Sequence, residues 1–158
     1  MKTTINPQMI EASRIMAEIL RLTKSHLAYV AVVHDNQSDV TMLGWSTGAM
    51  AGCTMKDKPI KYNIDKMGVW GDAMRQKKVD LVNDYHALER PSKHGYPAGH
   101  VDVRRHMNGP VMLRGKVIGI IGVGNKQEEY THEDEKAFRD YLIANVVRID
   151  KMKVAELG

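Results

Sequence analysis

Two apolar runs, 107–113 and 116–123, constrain what this chain can fold into more than any other feature. Arg114-Gly115 separates them, and a glycine there supplies the positive backbone angle that a two-residue hairpin turn needs. The second run is nearly continuous, with Val117, Ile118, Ile120, Ile121 and Val123. A strand of that kind is buried on both faces and belongs in the middle of a sheet. The remaining elements must be arranged around this hairpin.

The rest of the chain supplies four more strands and the helices that cover them. Leu27–Val33 is almost wholly apolar, and Asp35-Asn36-Gln37-Ser38 is a turn cluster that returns it as Asp39–Trp45. Residues 58–64 alternate polar and apolar side chains and, with Pro59 at the start, suit a sheet edge. Residues 79–83 form another short strand. The spacing predicts a helix over 6–25, with Asn6 as cap and Pro7 at its first position. A second helix is expected over 66–77, where Met67, Trp70 and Met74 recur at helical spacing. Thr131 and Asp134 resemble a capping box that opens a last helix over 132–155, with Phe138, Leu142, Val146, Ile149 and Met152 on one stripe. Residues 46–53 read as loop or bulge, and 100–106 as one or two helical turns. Two strand pairs are hairpins, so the sheet is largely antiparallel and the fold α+β, in a single domain over 1–158 whose sheet and pocket occupy 27–125.

Composition narrows the function classes. Of the 158 residues, 43% are hydrophobic and 27% charged, which is a globular balance. No apolar run reaches the roughly 18–20 residues that span a bilayer, and the first seven residues lack the apolar centre of a signal peptide. The net charge of +4 is mild and spread out, with no basic stripe interleaved with aromatics, which argues against nucleic acid as a partner. The single cysteine, Cys53, fits a reducing compartment, and a cytoplasmic location is expected. The polar loop from Tyr85 to His106 lies between strands, where small domains usually place a ligand.

Several stretches together carry a family resemblance: Gly71-Asp72-Ala73, Val82-Asn83-Asp84-Tyr85, Gly95-Tyr96-Pro97-Ala98-Gly99-His100, and Val117 through Lys126. On these the chain resembles a GAF domain, a PAS-related sensor module of bacterial and archaeal multidomain signalling proteins such as two-component systems. The resemblance covers nearly the whole chain. It implies a six-stranded antiparallel sheet in the order 3-2-1-6-5-4, with terminal helices on one face and a ligand pocket on the other. It also implies an attached output domain of kinase, cyclase or chemotaxis type, and a homodimer formed through the terminal helices.

The candidate ligand-binding residues are Trp45, Cys53, Trp70, Tyr85, His100, Arg104 and Met107. His100 and Arg104 stand four apart and would share a helical face, able to hold a carboxylate or phosphate. The alternative is that His100 caps a turn and Arg104 pairs with Asp84 or Asp102. Trp45 and Trp70 lie near the pocket in the layout the resemblance implies, as aromatic walls or as core. Tyr85 either offers its hydroxyl to a ligand or closes the loop. Met50, Met55, Met67, Met74 and Met107 would line an adaptable pocket or fill core. Asp84 is expected to serve loop amides. Gly119, Gly122 and Gly124 are expected to admit a helix against the backbone.

No cofactor is specified. Some GAF sensors bind haem through histidine, and the seven histidines supply candidates, although the chain has no C-x-x-C-H motif. Structural zinc is not expected. The leading expectation is a non-catalytic domain that senses a small molecule and relays its occupancy through the terminal helices. Haem sensing, a ligand-free dimerisation module and a free-methionine-sulfoxide reductase are the alternatives. The last requires an attacking and a resolving cysteine, and the chain has Cys53 alone.

Overall fold

The structure is a computed structural model that describes residues 6–46, 59–93 and 102–158. Helix α1 (Pro7–Thr23) opens it, with the Asn6 side chain accepting from the amides of Gln8 and Met9. Strands β1 (Leu27–Val33), β2 (Asp39–Trp45) and β3 (Ile60–Asn63) follow. Two 3-10 turns then lead into the short helix α2 (Asp72–Gln76), and β4 (Asp80–Val82) comes next. Strands β5 (His106–Leu113) and β6 (Lys116–Gly124) form the second hairpin, and α3 (His132–Ala144) and α4 (Val146–Leu157) close the chain. All six strands join one antiparallel sheet in the order β3-β2-β1-β6-β5-β4, the order the resemblance implied.

The β5–β6 turn puts both Arg114 (φ 53°) and Gly115 (φ 78°) in the left-handed region, the geometry whose twist matches antiparallel strands. Helix α3 is capped reciprocally by Thr131 and Asp134.

Three expectations need correction. The helix expected over 66–77 is broken up, because Gly68 at φ 61° cannot continue an α-helix, so Trp70 sits on a 3-10 turn. The helix expected from residue 132 onward is two helices, parted at Asn145, whose φ of −112° lies outside the helical range. The helical turns expected over 100–106 are absent from the described part of that segment, 102–106. His106 is instead the first residue of β5 and pairs with Gly124 and Val82.

The sheet separates two apolar clusters. On one face α1, α3 and α4 bury Ile15, Ile19, Phe138, Leu142 and Ile149 against Val30, Met107, Val111 and Ile121. The stripe from Phe138 to Met152 is thus packed against the protein's own sheet and α1. Arg148 ties the end helices together through Glu11 and a two-pronged pair with Glu18 (2.7 and 3.0 Å). On the other face Tyr29, Ala31, Val33 and Ile120 meet α2 and the 3-10 turns through Ala73, Met74 and Trp70.

Candidate functional site

Strand parity builds the site. His106 and Asn108 point to one face of β5, and Met107 and Gly109 to the other. Both polar side chains are fully buried. Burial of two polar groups on one strand face is costly unless they are hydrogen-bonded. The partner is Tyr29 on β1, whose buried hydroxyl donates to Asn108 Oδ1 at 2.6 Å. Asn108 Nδ2 in turn faces His106 Nδ1 at 2.9 Å. The bridge from β1 to β5 crosses β6 above Gly122, where any side chain would collide with the Tyr29 ring and Asn108 Oδ1. Gly122 was expected to make room for a helix. It makes room for this bridge.

Aromatic rings surround the imidazole. Trp70 stacks on His106 with centroids 5.6 Å apart, and Tyr85 tilts against it at 5.9 Å. Trp70 also meets Tyr29 at 5.0 Å. Trp45 packs at the margin of the same cluster. Among the described residues, His106 Nε2 is buried without a hydrogen-bond partner. Burial pushes the His106 imidazole down to about 4, so it is neutral at ordinary pH. Burial likewise raises the hydroxyls of Tyr29 and Tyr85, which stay protonated.

A charged collar lies along the loop that follows Tyr85. Arg90 grips Asp80 with two bonds (2.7 and 3.0 Å) and reaches Asp72 at 3.1 Å. Burial alone would raise the Asp72 carboxyl, but donors on Ser92, Arg90 and Arg75 outweigh it and hold the group below its usual range. Lys93 donates to the carbonyls of Tyr85, His86 and Leu88 and lies 4.8 Å from the Tyr85 ring centre. Asp84 accepts from the Ala87 amide, the loop role expected of it. Asn83 exchanges two hydrogen bonds with the Tyr130 backbone (3.0 and 2.7 Å), next to the Thr131 cap of α3.

Of the sequence candidates, Trp70 and Tyr85 come together at His106, and Trp45 borders their cluster. Cys53 and His100 lie outside the described residues, as do Met50 and Met55. Arg104 has an exposed side chain and no helix beneath it, so the shared helical face with His100 is not formed. Its backbone carbonyl accepts from the Tyr85 amide instead. Asp102, which with Asp84 was an alternative partner for Arg104, lies 2.8 Å from His86. Met107 is removed from the site by parity and packs beneath the helices. Tyr29, His106 and Asn108, which the structure brings together here, were not among the sequence candidates. The readable signal was two polar residues at alternate positions in a strand beside an apolar one.

Among the described residues no group of three or more His, Cys, Asp or Glu stands together to hold a metal ion. None of the described helices is long and apolar enough to cross a membrane.

Comparisons with known proteins agree with this architecture. A family model described as a GAF domain matches residues 11–141. A methyl sulfide methyltransferase-associated sensor of Methanosarcina acetivorans is 43% identical over 117 residues, which make up 74% of this chain and 12% of that protein. The chain therefore corresponds to about an eighth of that curated relative. The GAF domain of an Acinetobacter phosphoenolpyruvate-protein phosphotransferase superposes with a TM-score of 0.66 at 13% identity, covering 98% of this chain and 100% of the other. A type II free methionine-R-sulfoxide reductase from Thermoplasma acidophilum gives 0.65 at 14% identity, covering 93% and 97%. At such identities these two structures speak to the fold alone.

Proposed function

We propose a sensory role for this chain from one premise: it belongs to the GAF domain family. In this reading it is a non-catalytic regulatory domain that binds a small molecule beside His106. The observation that carries the proposal is His106 Nε2, a buried polar atom amid Trp70 and Tyr85 with no hydrogen-bond partner among the described residues. A buried polar atom left unmatched is costly, and a ligand that satisfies it gains affinity from that cost. Trp45, Trp70 and Tyr85 supply aromatic surface, and Cys53 and His100 remain candidates from the sequence. The similarity to a protein named as a sensor supports the same role.

The route of the signal follows the covalent and hydrogen-bonded frame. Tyr85 lies two residues beyond Asn83, and Asn83 grips Tyr130 at the entry to α3. A ligand that moves Tyr85 biases that entry, and α3 and α4 carry the change toward an output domain in a longer cytoplasmic protein. A second copy would pack against Ile143, Val147 and Val154, exposed apolar positions of α3 and α4.

Haem is the second reading, favoured by the same orphaned imidazole. His106, a buried neutral histidine, would hold the iron through Nε2, which requires its ring proton on Nδ1, the nitrogen that faces Asn108. Bound haem would supply redox and gas-ligand chemistry, and the chain's residues would shape its environment. Reductase activity is disfavoured because Cys53 is the chain's single cysteine.

Native mass spectrometry with a visible absorption spectrum of the purified protein tests these readings. An added mass that disappears in His106→Phe and Trp70→Ala supports a ligand here, and a Soret band identifies haem. A bare mass, together with no thermal shift across a metabolite panel, defeats the sensory proposal. Turnover of methionine sulfoxide with a thiol reductant defeats its non-catalytic part.

A further inference from the structure

The Tyr29–Asn108–His106 chain has a direction. Tyr29 is buried and protonated, and among the described residues its hydroxyl bonds to Asn108. A carboxamide oxygen can only accept, so Tyr29 donates and Asn108 Oδ1 faces it. The amide nitrogen is thereby turned to His106 Nδ1, and a carboxamide nitrogen can only donate. Nδ1 is then the acceptor, and in a neutral imidazole the proton sits on Nε2. Turning the carboxamide over would leave the buried Tyr29 proton facing a donor, with no acceptor among the described residues.

We propose that Asn108, oriented by Tyr29, is a positioning residue that decides what the His106 site accepts: it presents Nε2–H, so the site takes a ligand offering a carbonyl-type oxygen or ring nitrogen. This rests on the sensory reading in placing the ligand at His106, but the tautomer itself does not depend on it. Iron requires the lone pair of Nε2 and hence a proton on Nδ1. Iron binding at His106 therefore works against the Tyr29–Asn108 bond, whereas binding of an acceptor keeps it.

Long-range nitrogen–proton correlation of the histidine rings in the ligand-free protein is the test. The expected result is Nδ1 as an unprotonated, pyridine-like nitrogen and Nε2 as a protonated, pyrrole-like one. The reverse assignment overturns the proposal. In Asn108→Asp, a carboxylate accepts from both Tyr29 and His106, so Nδ1 gains a proton, and ferric protoporphyrin added to the protein binds about tenfold or more tightly than to wild type. A variant with its Nδ1 proton in place and unchanged porphyrin affinity also overturns it. If that variant does not fold, Tyr29→Phe serves: loss of the hydroxyl frees the carboxamide, and the two ring nitrogens shift toward averaged values, whereas unmoved signals count against the proposal. A protein with no native ligand would defeat the sensory reading while leaving the wild-type tautomer measurement intact.

Discussion

The two faces of the sheet are made by the same strands and have opposite characters. Beneath the helices, Phe138, Ile15, Ile19 and Ile149 are fully buried and fill the space with hydrocarbon. Gly109 marks how closely they fit, since a Cβ there would collide with Leu142 and Phe138. One residue away along β5, His106 and Asn108 are as deeply buried, yet they form a hydrogen-bonded chain that ends in an unmatched nitrogen. Buried polar atoms are nearly always paired, so an exception on one face asks for an explanation. On the proposed reading, the helix face is the scaffold and the aromatic face the receptor.

If that division holds, the largest losses of stability come from the helix face. Phe138→Ala removes a fully buried ring from the centre of the helix layer and is expected to cost about 4 kcal/mol by urea denaturation. Gly109→Val, which forces a side chain into Leu142 and Phe138, belongs to the same class. A loss below about 1 kcal/mol for Phe138→Ala would mean the helices are not tightly packed on the sheet.

The receptor face should show its character through pH. His106 titrates at about 4 in the fold, against 6.5 for an ordinary histidine, because burial disfavours its charged form. Between those values the unfolded chain binds the extra proton. The contribution is full above about pH 6.5 and is lost as pH falls toward 4, by roughly 3 kcal/mol. Asp80 and Asp72 favour the proton and Arg90 opposes it, so the window reflects burial more than any one charge. His106→Phe should flatten this dependence between pH 6.5 and 4.5. An unchanged pH profile in the variant would show that His106 is not held neutral.

The strand framework was legible in the sequence because its signals are local. The 107–113 and 116–123 runs, the Arg114-Gly115 turn and the Asn6 and Thr131 caps each depend on a few adjacent residues, and the structure keeps them. The receptor was less legible because its identity depends on parity and on contacts between distant strands. Starting β5 at Met107 instead of His106 put His106 in a presumed helix and left no strand face on which to read His106 beside Asn108. No local pattern announces that Tyr29, 79 residues from Asn108, bonds to it across Gly122. Gly68 likewise broke a helix that periodicity alone supported over 66–77.

Arg90 offers a sharper view of the receptor face, since it is a charge holding a loop in place. Its guanidinium is about a quarter exposed, while Asp72 and Asp80 are almost covered. Arg90→Ala leaves two carboxylates short of a partner and is expected to cost about 2 kcal/mol, less than a fully buried pair because solvent screens one side. Removing Asp80 together with Arg90 should cost less than the two single changes added, since the charges then disappear as a pair. Strict additivity in that cycle would show that the collar is not a coupled unit.

The smallest effect is expected on the outermost surface of the helix layer. Val147 is 67% exposed, and Ile143 and Val154 lie on the same end helices with similar exposure. Val147→Glu removes no buried contact within the chain, so its unfolding free energy should stay within about 0.5 kcal/mol of wild type. Three exposed apolar residues on helices whose inner side is already satisfied have no role in the scaffold or in the receptor. A second copy of the chain would cover them, and a carboxylate at position 147 would then be buried at the contact. Light scattering should therefore show a dimer in the parent and a monomer in Val147→Glu at equal stability. A parent that is monomeric at all concentrations would assign the outer stripe to solvent, and the signal would then have to pass along α3 and α4 within one chain.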